Sequence, residues 1–365
     1  MAKVIKVLHT EWSDGWGGQE IRIINEMIAV REQGVEVFLA CRDCATIKQK
    51  AIENNIKVSI LPFKGNVDIK TLFGLKRIIK EHNINIVNTH SGKDTWVGGM
   101  AAKLSGIKFI RTRHLSNPIN PARTNFINEL ADYVFTTGES VRENMIKFNR
   151  ISPEKIRSIP TGIDSNLFDP KFFDRDLCRT KYNLNDGEIA IGIVAVLRDS
   201  KRHDNFLKIA NGLKKDFPKK KFKFFIAGEG PIRDVVEDMV SKLSLSEDVV
   251  LLGHIENVPE LMKALDIFLF TADRWEGVPQ SVMQALMMDV STVSTNDGST
   301  SDLYKDNNFL ISDPDFNVVY DNAKSMVQNL SNDNFLNKSR SFIVNNFSKK
   351  VATIKILETY KTLVI

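Results

Sequence analysis

In the run Ile267-Phe268-Leu269-Phe270-Thr271-Ala272-Asp273-Arg274-Trp275-Glu276-Gly277-Val278-Pro279-Gln280-Ser281-Val282-Met283-Gln284-Ala285-Leu286, the first four apolar residues form a buried strand. The Glu-Gly-Val-Pro further on is a loop that opens a helix at Pro279. That loop lies at the carboxyl end of the strand, where open parallel sheets take their ligands. A helix start there offers N–H groups and a positive dipole end to a phosphate. Glu276, just before those donors, can accept hydrogen bonds from sugar hydroxyls. Gln284, eight residues on and about two helical turns away, points back toward the same mouth. The arrangement suits a sugar carried on a diphosphate; the plainer alternative is a solvated loop carboxylate before an ordinary amphipathic helix.

The same strand, loop and helix recur on either side. Upstream, Ile189 to Val196 is apolar throughout, as in a strand buried on both faces, and it runs into Arg198 and Lys201. Cations at a strand's ligand end can neutralise a diphosphate, Arg as a forked donor and Lys as a point charge; the alternative is a solvated basic turn. Phe222 to Ala227 is the next strand, and Gly228-Glu229-Gly230-Pro231 follows it. Glycines there let backbone approach a nucleotide closely, and Pro231 starts a helix. The lysines from Lys214 to Lys223 read as a solvated face, with membrane contact as the functional alternative.

The first half of the chain repeats the pattern. Strands are expected at Val4–Leu8, Val35–Leu39, Val58–Leu61, Ile84–Val87 and Ile107–Ile110, with helical segments between them such as Ile69–Ile79 and Trp96–Leu104. Such alternation builds a parallel sheet with helices on both faces. A glycine loop (Gly15, Gly17, Gly18) follows the first strand but does not spell a dinucleotide fingerprint. Asn88-Thr89-His90-Ser91 and Arg111-Thr112-Arg113-His114-Leu115-Ser116 occupy ligand-side positions after later strands. Ser140 is a candidate N-cap for the helix ending the first domain.

Composition sets the bounds. At 365 residues the chain is long for one core, and about 150 residues per domain suggests two. An apolar fraction of 42% with 26% charged residues is an ordinary soluble balance, and a net charge of +5 permits anionic partners without pointing to nucleic acid. The three cysteines, Cys41, Cys44 and Cys178, cannot all pair, and no secretory leader follows Met1, so a reducing cytosol is expected. Cys41 and Cys44 lack a second Cys/His pair and read as inert thiols. Asp174-Arg175-Asp176 and Asp313-Pro314-Asp315 read as turns rather than metal sites.

The Glu-Gly-Val-Pro-Gln-Ser stretch, Glu276 to Ser281, followed by Gln284, resembles the Glu-x7-Glu signature of retaining GT-B glycosyltransferases, with Gln in place of the second Glu. The resemblance extends over nearly the whole chain. It implies two Rossmann-like α/β domains facing an interdomain cleft, at 1–168 and 189–344, with a linker at 169–188 and a helix at 345–365 crossing back to the first domain. It also implies that Glu276 contacts the donor sugar while backbone from Gly277, Val278 and Pro279 meets the diphosphate. Gln284 departs from the residue that holds the ribose, although an amide can still bond a hydroxyl. Gly17 and Gly18, with Glu20, match a loop lying under the donor phosphates, and His114 matches a histidine that bonds the donor sugar. Lys201 carries over as a diphosphate cation; the family's Arg position is Val196 here, so Arg198 is a substitute chosen on chemistry. Gly228, Glu229 and Gly230 match a Gly-x-Gly-Pro turn at the nucleotide.

The expected catalytic residues are therefore His114, Glu276 and Lys201. The expected activity is transfer of a sugar from a UDP- or GDP-linked donor to a hydroxyl acceptor, with retention and with no metal or other cofactor. A surface polysaccharide or lipid-linked saccharide is the expected acceptor, and no nucleic acid partner is expected. The expected location is the cytoplasm, with peripheral contact at the inner face of the cell membrane left open. A nucleotide-sugar epimerase of the same fold and a non-catalytic sugar-nucleotide-binding subunit are the rival readings.

Overall fold

β-Branched and aromatic runs alternating with amphipathic helices build two separate parallel sheets. The structure is a computed structural model and describes residues 4–114, 116, 119, 123–274, 276–303, 309–330 and 339–364. The chain forms two units, Met1–Gly162 with Lys349–Ile365, and Ile163–Ser348.

Unit 1 contains β1 (Lys6–Glu11), α1 (Gly18–Arg31), β2 (Glu36–Cys41), α2 (Thr46–Glu53), β3 (Lys57–Ile60), α3 (Ile69–His82), β4 (Ile86–Thr89), α4 (Gly92–Leu104), β5 (Lys108–Arg113), β6 (Tyr133–Thr136), α5 (Glu139–Asn149) and β7 (Ile156–Ser158). The strands are all parallel, in the order β3-β2-β1-β4-β5-β6-β7. The winding reverses between β1 and β4, so the crevice beyond their carboxyl ends is where this architecture places ligands. One face of the sheet packs under Leu8, Phe38, Val87 and Phe109, the other under Val7, Leu39, Ile110 and Phe135.

Unit 2 contains α6 (Arg175–Lys181), β8 (Glu188–Val194), α7 (His203–Asp216), β9 (Lys221–Ala227), α8 (Arg233–Lys242), β10 (Val249–Gly253), α9 (Val258–Ala264), β11 (Ile267–Phe270), α10 (Gln280–Met287), β12 (Ser291–Thr295), β13 (Phe309–Ser312), α11 (Phe316–Asn329) and α12 (Ser339–Phe347). Its parallel order is β10-β9-β8-β11-β12-β13, with the reversal between β8 and β11. Phe225, Phe268 and Phe270 line one face and Phe224, Ile226 and Leu269 the other. The last helix, α13 (Lys349–Val364), belongs to unit 1. Its Ile356 and Tyr360 are buried against the unit 1 sheet, Ile356 alone worth about 1.5–3 kcal/mol of apolar burial.

The structure shifts several boundaries. The division falls at Gly162/Ile163 rather than after residue 168. The stretch 169–188 is no irregular linker: α6 packs in unit 2, where Arg175 and Arg179 both reach the Asp266 carboxylate at 2.7 and 3.2 Å. Ser140 lies inside α5, whose N-cap is Gly138. Helix α8 begins at Arg233, not Pro231. Strand β1 continues through His9, Thr10 and Glu11, which are fully buried despite their polarity. Asp174 and Asp315 cap α6 and α11 by accepting backbone N–H bonds. Cys41 is buried in β2, where burial pushes its thiol up to about 12, and Cys44 is exposed. Among the described residues no helix is long and apolar enough to cross a membrane.

Candidate functional site

In unit 2 the two loops flanking the reversal hold Lys201 and Glu276. Past β8 the chain turns through Asp199–Lys201, with Arg202 in the left-handed region at φ 51° before α7 begins. The loop past β11 holds this turn from the other side. The Thr271 hydroxyl lies 3.0 Å from the carbonyls of both Lys201 and Arg202, Asp273 N–H donates to Ser200 O at 3.1 Å, and the Arg202 guanidinium reaches Asp273 at 2.6 Å. With its backbone fixed, Lys201 sends its ammonium to the Glu276 carboxylate in an ion pair, 5.3 Å from the Phe270 ring. Both side chains are largely covered, at 21% and 12% exposure. An ammonium has three donors, so Lys201 can hold Glu276 and still bond an anion's oxygens.

Glu276 is itself held by a third loop. Its N–H donates to Asp297 Oδ2 at 2.8 Å, and Ser299 N–H donates to Gly277 O at 3.3 Å. Gly298 takes φ 59°, and a Cβ there would overlap the Glu276 carbonyl oxygen. Val278 and Pro279 are buried, Pro279 is the N-cap of α10, and Gln284 is half-buried one turn into that helix. The positive end of α10 thus lies a few residues past Glu276.

The remaining unit 2 candidates fall on the β8 and β9 ends. Gly228 adopts φ 145° and donates to Gly253 O at 2.8 Å, and a Cβ there would overlap the Ala195 carbonyl. A Cβ on Gly230 would strike the Leu197 backbone, and Leu197 N–H donates to Glu229 O at 3.0 Å. Glycine is required at both positions by this close strand-to-strand passage. The Glu229 carboxylate pairs with Arg233. Arg198 is exposed and makes no ion pair among the described residues.

In unit 1 the glycine loop starts α1: Glu20 accepts the Gly17 N–H at 2.9 Å, and Gly18 is the first helical residue. His114, past β5, is only 8% exposed and closes a line of three histidines. His9 Nδ1 is 2.9 Å from His90 Nε2, and His90 Nδ1 is 3.0 Å from His114 Nε2. Burial holds His90 and His114 far below the usual imidazole range and brings His9 down to about 3. Beside them Asp94 accepts from Thr10 Oγ1 at 2.6 Å and from His90 N–H at 2.9 Å. Burial and the Asp94 charge push Glu11 up to about 8, against N–H bonds from Trp12 and Ser13 at 2.8 Å each.

Residue patterns put His90 in a ligand-side stretch without giving it a role, and assigned none to His9, Asp94 or Asp297. The signal for the histidines is register: His9 pairs with Asn88 across β1 and β4, which puts His90 one strand-end away. For Asp297 it is the Asn296-Asp297-Gly298 turn beside the Glu276 loop.

Two family models tile the chain, Glycosyltransferase Family 4 over residues 16–167 and Glycosyl transferases group 1 over residues 174–345. The chain belongs to the GT-B glycosyltransferases. Among the relatives of this GT-B glycosyltransferase is the Escherichia coli enzyme UDP-Gal:alpha-D-GlcNAc-diphosphoundecaprenol alpha-1,3-galactosyltransferase. It is 23% identical over 384 residues, which cover 99% of this chain and 98% of the relative. A glycosyltransferase from Rickettsia africae ESF-5 has the same fold, with a TM-score of 0.88 at 19% identity over 99% of this chain and 98% of its own. Anabaena HepE, solved in complex with UDP, matches with a TM-score of 0.86 at 15% identity over 98% of this chain and all of its own.

Proposed function

We propose that this glycosyltransferase moves a sugar from a UDP-linked donor to a hydroxyl of a lipid-linked saccharide, with retention at the anomeric carbon. The observation that carries the reading is the Lys201–Glu276 ion pair, set at the sheet reversal beside the start of α10. Lys201, the positive end of α10 and Arg198 neutralise the diphosphate as the sugar–oxygen bond breaks. Glu276 accepts hydrogen bonds from the sugar hydroxyls. The acceptor oxygen bonds the anomeric carbon on the face that the diphosphate leaves, and its proton passes to the departing diphosphate oxygen. No protein nucleophile takes part, and rate comes from alignment and charge stabilisation. Gln284 serves the ribose through its amide, Gly228 and Gly230 let backbone approach the nucleotide, and His114 bonds the donor sugar. Relatives acting on diphosphoundecaprenol-linked sugars, such as the Escherichia coli enzyme, support the acceptor class.

A lipid-linked acceptor calls for contact with a membrane surface, and α3 offers one. Ile69 and Phe73 on α3 are 63% and 64% exposed and Val67, just before the helix, is 89% exposed, with Lys64, Lys70 and Lys80 exposed along the same stretch. By contrast, two of the lysines between 214 and 223 are engaged internally, Lys214 with Asp248 and Lys223 with Glu247 O.

The test is a donor screen followed by product analysis. UDP-sugars are expected to raise the melting temperature more than GDP-sugars, because a ligand bound only by the folded state stabilises it by mass action. Proton NMR of the product is expected to show the donor's anomeric configuration. An inverted product, or conversion of donor to another nucleotide sugar without acceptor, would overturn the reading.

A further inference from the structure

The three histidines of unit 1 constrain one another's protons. His9 lies in β1, His90 just past β4 and His114 just past β5, with ring centroids 5.2 Å apart at each step. Buried as they are, the rings are neutral, and each carries a single proton. In each N···N contact one nitrogen must donate and the other accept. A neutral line joined Nδ1 to Nε2 twice therefore has two self-consistent states, with all protons on Nδ1 or all on Nε2. The second state would leave the His9 Nε2–H buried with no acceptor, since His9 Nε2 is sealed and unpartnered among the described residues. A buried orphan N–H is rarer in folded proteins than an under-used acceptor. The first state puts a bare lone pair at His9 Nε2 and an N–H at His114 Nδ1. That atom is not among the sealed ones and has no hydrogen-bond partner among the described residues. The Thr137 hydroxyl fixes the His114 backbone by donating to its carbonyl at 2.9 Å.

We propose that His9 and His90 are positioning residues that hold His114 in the Nδ1–H tautomer, so that His114 Nδ1 donates a hydrogen bond to a hydroxyl of the transferred sugar. The sugar contact rests on the donor-sugar role given to His114 above; the tautomer assignment does not. Substrate thus meets a hydrogen-bond donor whose direction is set two rings away.

Two-bond proton–nitrogen NMR on the full chain, labelled with 15N at histidine, reads the tautomers directly and needs no variant. His90 and His114 are expected as Nδ1–H and neutral at pH 6. In His90→Leu, His114 is expected to become a mixture of both tautomers, with kcat down about tenfold and donor KM little changed, the loss of one directed hydrogen bond. His114→Asn, whose amide nitrogen takes the place of Nδ1, should retain more activity than His114→Gln, whose amide falls at Nε2. An Nε2–H signal for His114 in the unaltered protein, or an unchanged tautomer in His90→Leu, would overturn the relay. A correct tautomer with equal activity in the Asn and Gln variants would overturn the sugar contact alone. Absence of any sugar transfer by the unaltered protein would instead reject the transferase reading and leave the NMR result standing.

Discussion

Lys201 and Glu276 stand 75 positions apart in sequence and meet as an ion pair where the unit 2 sheet reverses its winding. A charge pair this well covered, with one spare face on the ammonium, is a poor device for stability and a good one for charge that develops elsewhere. Lys201→Ala and Glu276→Ala are each expected to lower kcat/KM at least about 100-fold, the usual loss when a transition-state charge partner is removed. Since the two groups act as one unit, the double variant should be little worse than the poorer single one. Steady-state kinetics on the three variants checks this, and near-wild-type turnover in either single variant rejects the assignment.

Gly298 lies against the backbone of the same glutamate. Alanine there must adopt φ 59° and also clear the Glu276 carbonyl, so the loop carrying Glu276 has to move. Gly187, at φ 78° with open space around it, supplies the control, because alanine there meets backbone strain alone. Gly187→Ala should lose about 1–2 kcal/mol in urea denaturation, and Gly298→Ala more, because the clash adds to the strain. Gly298→Ala alone is expected to weaken donor binding by calorimetry; equal donor affinities in the two would sever Gly298 from the site.

Why the two sheets were legible and parts of the site were not comes down to what burial selects. The strands β8 and β11 are covered on both faces, so Ile189-Ala190-Ile191 and Ile267-Phe268-Leu269-Phe270 stand out as apolar runs. Strand β12 is equally buried yet spells Ser-Thr-Val-Ser-Thr; its hydroxyls are satisfied locally, Thr292 by Val290 O at 2.9 Å and Ser294 by Thr295 O at 2.9 Å. Composition does not reveal such a strand. Likewise Lys201 and Glu276 could be picked out singly from motif and chemistry, whereas the His9–His90–His114 line exists only through strand register. The 169–188 stretch looked like a linker because Arg175 and Arg179 on Asp266 hold its helix, and the apolar contacts of Phe173, Cys178, Tyr182 and Leu184 are scattered and follow no clear helical period.

His203 gives a pH test independent of catalysis. It opens α7 beside Lys201, and both ring nitrogens are buried without a partner among the described residues. Burial, and then the Lys201 charge, bring it down to about 4 from 6.5. With the folded value lowered, the ring is neutral in the native protein. Its contribution to stability is present above pH 6.5 and is lost as pH falls toward 4, because the unfolded chain takes up a proton that the native one refuses. The loss by pH 4 is about 3 kcal/mol. His203→Leu removes two unpaired nitrogens, so it should cost little at pH 7 and should flatten the stability–pH slope between 6.5 and 4 by about one proton. Urea titrations at several pH values measure both; an unchanged slope means the ring is protonated in the native state.

The α3 surface carries the last prediction, about where the acceptor is met. Exposed Val67, Ile69 and Phe73 offer apolar tips to an interface, and Lys64, Lys70, Lys76 and Lys80 surround them, with Arg77 spending part of its charge on Glu81 at 3.6 Å. Apolar tips ringed by cations fit an anionic lipid surface, where each Lys contributes about 1 kcal/mol at low ionic strength. The protein should cosediment with phosphatidylglycerol vesicles and not with phosphatidylcholine ones, and added salt should release it. Changing Lys70, Lys76 and Lys80 together to Ala is expected to weaken partitioning about 100-fold. Transfer to a water-soluble acceptor should be untouched, because α3 holds none of the residues assigned to the donor. Phe73→Ser tests the apolar part and should weaken binding even at low salt. If both variants bind vesicles like the unaltered protein, α3 is not the surface that meets lipid.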